Sequence, residues 1–261
     1  MKNGNGPCPS FWHRISSVWY RHMKVYTKNI VTNGFPPFLE PLIFLFGIGL
    51  GLGNYVSTME GVPYIQFLSL GLILTSAMFT AAFECTYGTY VRLEFEKVYD
   101  GMLGAPLTAT DLLLGEILWC GTKGLFFATA VLTVISIFGI LPIKLFLIVP
   151  IIGFLTGIMF AALSLLVTSF VNDINQFNFY STGFISPMFF FSGVVFSLGS
   201  LPPILRIIAE LLPLTHTVRL LRMLSVMQLN SMVLVDIGYI VIFTVVMSYL
   251  AIRQLKKRLI S

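Results

Sequence analysis

Long apolar runs broken at intervals by short polar stretches set the pattern of this chain. Six runs are dominated by apolar residues: 38–56, 65–83, 112–138, 145–169, 179–196 and 233–252. Each has roughly 18 to 27 residues, enough helix to cross a hydrocarbon core of about 30 Å. The pattern therefore predicts an all-α, polytopic membrane protein with six transmembrane helices in a single domain. Pro36 and Pro37 introduce the first run, Pro150 lies within the fourth, and the polar turn Asn172-Asp173-Ile174-Asn175-Gln176 leads into the fifth. In the first run Gly47 and Gly51, and Gly49 and Gly53, stand four apart. That spacing permits close helix approach.

The polar interruptions predict elements of their own. The longest, residues 86–111, carries Arg92, Glu94, Glu96, Lys97, Asp100 and Asp111, a density of charge that a hydrocarbon slab excludes. Val91, Phe95, Val98 and Met102 recur at helical spacing, and Arg92, Glu96 and Asp100 form a polar row four residues apart. The spacing predicts a short surface helix over 90–103, ended by Gly104 and Pro106. Thr108, with Asp111 three residues on, signals the cap of the next helix. Such an element is either a solvated connector or a docking surface for a soluble partner.

Near the N-terminus, Arg14, Ser17, Arg21, Lys24 and Lys28 share one face of an amphipathic stretch over 11–28. Phe11, Ile15, Val18, Trp19, Met23 and Tyr26 lie largely on the other, which suits a helix lying in the headgroup layer. Between the last two spans, residues 201–212 are apolar on most of their circumference but too short to span. Pro202 starts this piece, and Pro213 separates it from a second, 214–227, that carries His216, Arg219 and Arg222. Together they predict an external re-entrant region over 201–227.

Composition agrees with the pattern. Of 261 residues 56% are hydrophobic and 10% charged, against about a quarter charged in soluble domains. Cys8, Cys85 and Cys120 are scattered, with no spacing that argues for a disulfide framework or a metal site. No signal peptide is expected, because no apolar core closely follows the first basic residue. The net charge of +5 sits mostly at the chain ends and argues topology rather than nucleic acid. Eleven of the 16 Lys and Arg fall in the N-terminal segment, the 86–111 segment and the C-terminal tail. The positive-inside rule puts these three in the cytoplasm, and with them both termini.

Three ionisable groups lie at or within spans: Glu84, Glu116 and Lys123. Exposing such a group to lipid costs at least about 2.5 kcal/mol, so each pairs with a partner or faces a transport path. Glu116 and Lys123, seven residues apart on one face, either neutralise each other or find partners on neighbouring helices. His216 lies beside arginines with no carboxylate or second histidine at ligand spacing, which favours an interfacial hydrogen bonder over a catalytic base. The sequence shows no nucleophile motif. Gly115 to Lys123, GEILWCGTK, has the wrong spacing for a phosphate-binding loop.

Several stretches resemble the permease subunit of type-2 ABC exporters: EPLIFLFGIGLGLG, PYIQFLSLGLILTSAMFTAAFE, GEILWCGTKG, and above all SPMFFFSGVVFSLGSLPP followed by LLPLTHTVRLLR. The likeness runs from Phe11 to Arg258 and is greatest to the nodulation-type lipooligosaccharide exporter branch. It implies a six-helix half-transporter that forms a homodimer in membrane lipid, in a bacterial inner membrane. Two separate ATPase subunits, one on each cytoplasmic face, would bind ATP and Mg, and this chain would carry no cofactor. The resemblance makes the loop between spans two and three the coupling element, with Arg92, Glu94, Phe95, Glu96 and Asp100 at the ATPase. It makes the N-terminal helix interfacial, and the stretch with Pro202, Pro213, His216 and Arg219 a re-entrant outer cap. The chain departs from the family in a longer Gly- and Pro-rich N-terminus.

The implied activity is ATP-driven export of an amphiphile: a lipid-linked oligosaccharide, a lipid or a hydrophobic drug. A secondary transporter or channel working alone is one alternative. It is disfavoured by the lack of a visible internal repeat and by few intramembrane charges. A membrane-embedded glycolipid transferase is another, with only Glu84 and His216 as catalytic candidates. The topology is directly testable. Reporter fusions after Tyr55 and Ile140 are expected to read external, and fusions after Gly101 and Asn172 cytoplasmic; an external signal after Gly101 overturns the assignment.

Overall fold

A stretch with one apolar and one basic face has to lie flat on something, and Phe11–Lys28 does so as helix α1. The Ser10 side chain caps its start by accepting from the His13 N–H, and Ile15, Val18 and His22 are its buried residues. They face the first turns of a helix further along the chain. The computed structural model describes residues 9–227 and 230–260, so Lys2, Cys8 and the Gly/Pro-rich N-terminus lie outside the described residues.

Among the described residues nine further α-helices follow, some with π-helical turns: α2 Ile30–Gly53, α3 Tyr64–Phe95, α4 Val98–Leu103, α5 Ala109–Ile137, α6 Val149–Phe170, α7 over 177–191, α8 Pro203–Leu211, α9 Pro213–Ser225 and α10 Ser231–Ile260. A two-residue hairpin joins α2 to α3, pairing Thr58–Met59 (β1) with Val62–Pro63 (β2). Glu60 and Gly61 turn it with φ of 52° and 81°, the left-handed pair that matches strand twist. The capping box at Thr108 and Asp111 is present: Asp111 N–H donates to the Thr108 hydroxyl, and Thr108 N–H to the Asp111 carboxylate.

α3 is the axis of the bundle. In its most apolar stretch 83% of residues are buried, against 22% in α2 and 17% in α10. Among the described residues five helices (α2, α3, α5, α6 and α10) are long and apolar enough to cross a membrane. α7 runs alongside α3, from Asn178, bonded to Tyr87, towards Val194, whose carbonyl shares Arg222 with that of Phe67. It is shorter than the roughly 20 residues a hydrocarbon core asks of a helix. The expected fifth span, 179–196, ends instead in a turn at Ser192–Gly193, where Gly193 has φ 80°.

Three boundaries differ from the sequence reading. Pro36 and Pro37 do not precede the first long helix; they lie inside it, with Pro41. A proline removes the donor for the carbonyl four residues back, and for Pro36 and Pro37 those carbonyls belong to Thr32 and Asn33, which are exposed and open to other partners. The second span does not end at 83, and 90–103 is not one helix. α3 continues through two widened π-turns, Glu84–Gly88 and Val91–Phe95. The break comes at Lys97, whose left-handed backbone (φ 51°) turns the chain into α4. The row Arg92, Glu96, Asp100 is therefore split.

Of the four spaced glycines of the first span, only Gly49 packs on another helix within the chain. Gly47, Gly51 and Gly53 have nothing within 4 Å of an added Cβ, and only Gly49 meets Ile65 and Leu68. The closest helix contact is between α5 and α6. A Cβ on Gly124 would lie 2.5 Å from the Gly153 carbonyl oxygen and 2.9 Å from Gly157 Cα. Overpacking of that kind costs about 1–3 kcal/mol. Gly124→Val is accordingly expected to lower the thermal midpoint of the purified protein clearly, while Gly51→Ala leaves it unchanged or raises it. Equal midpoints for the two variants would contradict the α5–α6 seam.

Candidate functional site

Charge in an apolar bundle has to be paired, and the groups at the end of α3 are. Arg92 Nη1 donates to Glu84 Oε1 at 2.7 Å, and its Nε to Glu116 Oε1 of α5 at 3.2 Å. Lys123 Nζ donates to Glu84 Oε2 at 2.8 Å. Thr89 Oγ1 donates to Glu116 Oε2 at 3.0 Å, and the Tyr99 hydroxyl of α4 donates to Glu116 Oε1. Two cations and two carboxylates thus balance across α3 and α5, with α4 attached through Tyr99. Burial, with the Glu116 carboxylate beside it, pushes the Tyr99 phenol well above its usual range and keeps it a donor. Removing one partner of such a buried pair typically costs about 3–5 kcal/mol, because the other charge stays behind uncompensated.

Glu116 and Lys123 therefore do not pair with each other; each finds its partner on α3. α1 closes the same site. Its Arg14 Nε donates to Asp111 Oδ2 at 2.9 Å, and its Trp19 indole to Thr122 at 2.9 Å. Val18 sits where Gly115 leaves room, a Cβ there falling 2.6 Å from it. His22 stacks on Trp119, with Nε2 3.4 Å from Glu116 Oε1 but making no hydrogen bond.

The residues proposed for docking divide. Arg92 is turned into the bundle. Glu94 is half-buried and accepts from Arg258 of α10 at 2.8 Å, with Lys97 at 3.5 Å. Phe95 is 66% exposed, edge-on to Tyr90, so it is no buried anchor; Glu96 and Asp100 are exposed beside it. Of the five, Phe95, Glu96 and Asp100 are the exposed ones.

Beside the ion network lies a cavity of about 660 Å³ between α1, α2, α3 and α5, walled in part by Tyr26, Glu40, Phe83, Glu84, Trp119 and Lys123. Sequence reasoning passed over Glu40, a carboxylate inside α2. A sequence signal existed: it is the only charged residue of the first apolar run.

At the opposite end, Pro202 caps α8 and Pro213 opens α9. His216 is buried, held through Nδ1 to Asp236 at 2.7 Å and through Nε2 to the Glu210 carbonyl at 2.9 Å, and it stacks on Tyr239. Arg219 grips Asp236 with Nε and Nη2 and reaches Glu210 Oε1 at 2.6 Å. The carboxylate missing at ligand spacing thus arrives from α10. Arg222 lies over the Phe67 ring and donates to the carbonyls of Gly193, Phe67 and Val194. The two short helices differ as well: α9 packs into the bundle, whereas α8 leaves Ile204, Ile207 and Leu211 exposed. The scattered cysteines converge in part. The Cys85 and Cys120 thiols are buried 3.1 Å apart. Among the described residues no group of three or more His, Cys, Asp or Glu is placed to hold a metal.

The profile of the family described as ABC-2 type transporter matches residues 13–226. The chain is 36% identical over 252 residues to Nodulation protein J of Sinorhizobium fredii (strain NBRC 101917 / NGR234), covering 96% of this chain and 95% of that one. It is 35% identical over 244 residues to Nodulation protein J of Rhizobium leguminosarum bv. viciae, covering 93% and 94%. To Inner membrane transport permease YadH of Escherichia coli (strain K12) it is 25% identical over 241 residues, covering 90% and 91%.

Burial lowers His22 from 6.5 to about 4, with Glu116 opposing and Arg92 adding to the effect. Between these values the unfolded chain holds the proton and the folded chain does not, so stability falls as pH drops from about 6.5 to 4. The full loss is on the order of 3 kcal/mol. Thermal midpoints measured from pH 7 to pH 4.5 are expected to fall more steeply for the parent than for His22→Phe, which keeps the ring against Trp119. Parallel curves would mean that His22 is not held neutral there.

Proposed function

Because the chain belongs to the ABC-2 type transporter family, we propose that it is the membrane-spanning permease of an ATP-driven exporter that moves an amphiphile out of the cytoplasm. ATP and Mg are bound by a separate ATPase, two per complex, on a homodimer of this chain. The membrane is a bacterial inner membrane, and both termini are cytoplasmic. α7 completes six crossings, and α8 and α9 cap the outer side, α8 presenting its apolar face to the outer leaflet. The relatives' printed names, a transport permease among them, support this reading.

The observation that carries it is the Glu84–Arg92–Glu116–Lys123 network. It welds the end of α3 to α5 and to α4 through Tyr99, and α1 is held on α5 beside it by Arg14 and Trp19. Phe95, Glu96 and Asp100 stand exposed on that welded corner. An ATPase bound there moves α3 and α5 as one body rather than bending a loose loop. Arg92 and Glu94 then transmit and brace, with Arg258 tying the corner to α10. Such movement opens a route between the two copies for a head group, while the tail stays in lipid.

The double variant Glu96→Lys/Asp100→Lys reverses the exposed charge of the corner without touching the network. A mispaired contact at a charged interface costs several kcal/mol. Membrane insertion is expected to be unchanged, with recovery of the co-expressed ATPase cut at least about tenfold and transport lost with it. Normal ATPase recovery would return this corner to a plain connector. Transport by the chain without any ATPase would favour the stand-alone readings.

A further inference from the structure

We propose that the groove beside the C-terminal half of α1 holds an acyl chain of an anionic phospholipid, a resident of the bilayer whose head group sits at Lys24 and Lys28. The groove has a volume of about 160 Å³ and lies next to the larger cavity, sharing Tyr26 and Trp119 with it. Met23, Thr27 and Ile30 wall it on one side, Trp119, Phe126 and Phe127 on the other. Its few polar groups are engaged elsewhere. The Thr27 hydroxyl donates to the Met23 carbonyl and that of Thr122 to the Leu118 carbonyl. Lys123 gives its ammonium to Glu84, which leaves the groove only its stem. A space of this size with apolar walls stays dry and takes an apolar guest.

Its position makes the guest a lipid tail. Thr27, Ile30 and Phe126 are exposed, so the groove is reached from outside the bundle. Lys123 marks the level of the ion network. Phe126, one turn further into the span, is 51% exposed where the surroundings are hydrocarbon.

The charge of the head group follows from the lysines. The chain has no acidic residue before Glu40. Arg14 meets Asp111, and Arg21 turns to the wall of the larger cavity. Among the described residues no carboxylate pairs with Lys24 or Lys28, and both are exposed. Lys24 stands one turn before Thr27 at the rim of the groove, its ammonium 4.9 Å from the centre of the Tyr20 ring, and Lys28 directly follows Thr27. Two free cations beside a hydrocarbon slot match a phosphodiester with its tail. A second copy of this chain, related by two-fold symmetry, would bring the same cations to the face and no acid. Each lysine near a membrane surface favours an anionic lipid about fivefold. Bound there, the lipid fastens the junction of α1 and α2 to α5. This binding requires the chain to lie in a membrane and stands apart from the exporter reading.

The test uses the full chain with Trp12→Phe, which removes an indole that is 76% exposed and leaves Trp119 on the groove wall. In phosphatidylcholine nanodiscs, phosphatidylglycerol brominated on its acyl chains is added in rising proportion, and contact quenching of tryptophan is read. Quenching is expected to saturate, half-complete at a ratio to unlabelled phosphatidylcholine about 25-fold lower than brominated phosphatidylcholine needs. Lys24→Gln/Lys28→Gln should bring the two lipids to parity, with the thermal midpoint in phosphatidylcholine unchanged. Thr27→Phe fills the slot from a position whose hydroxyl bonds only its own helix. It should cut quenching by the anionic lipid to the level of phosphatidylcholine although both lysines remain. Inorganic phosphate, which brings charge without a chain, should not displace the lipid. Equal quenching by the two lipids in the parent overturns the site, as does a preference that the double lysine variant keeps. Parental quenching in Thr27→Phe, or displacement by inorganic phosphate, overturns it too. If the double variant keeps its lipid preference but loses a co-expressed ATPase, the lysines serve a protein partner and the inference fails.

Discussion

The structure depends on the cost of an unpaired charge in a low-dielectric interior. Four ionisable groups from α3 and α5 meet at one level, and their neighbours are arranged to satisfy them. Residues eight apart lie about 80° apart around a regular α-helix, so Glu84 and Arg92 would diverge. Two π-turns widen α3 where these residues sit, reducing that angle and presenting both to α5. The irregularity of α3 is therefore the means by which its charges are paired. Tyr99, Thr89 and His22 then fill the remaining space around Glu116.

The opposite end solves the same problem differently. There Asp236 enters from α10 and meets Arg219 and His216 of α9, while Arg222 is served by backbone carbonyls at the chain's turns. Each cluster joins segments distant in sequence. Between the two ends the buried polar groups are hydroxyls such as those of Thr75, Ser76 and Ser164 rather than charges, and the bundle is held by close packing, with the Gly124–Gly153–Gly157 seam letting two backbones approach more closely than any side chain permits. Polar specificity sits at the ends and dispersion fills the middle.

What could be read from the sequence was what depends on local chemistry. The bounds of α1 follow from its two faces, the start of α5 from Thr108 and Asp111, and the short α8 and α9 from paired prolines and length. What could not be read depends on partners across the fold. Glu84 and Arg92 look like the end of a span until Glu116 and Lys123 are seen to neutralise them, so α3 was cut twelve residues short of Phe95. Asp236 looks like one acid in an apolar run until Arg219 is placed against it. Glycine spacing was equally ambiguous: of the pairs four apart, those in α2 face outward except for Gly49, whereas Gly153 and Gly157 of α6 make the close contact with Gly124 of α5.

The unbroken length of α3 has a mechanical consequence. Its 32 residues make a rod of about 48 Å, longer than the hydrocarbon layer is thick, with Arg222 holding one end at Phe67 and the four-charge weld near the other. A rod pivoted near one end works as a lever. A tilt of about 5° at the Arg222 fulcrum sweeps the far tip through about 4 Å. The reverse also holds: a push of a few ångströms at the tip arrives at the fulcrum as a small rotation, with its force multiplied against the packing of the outer cap.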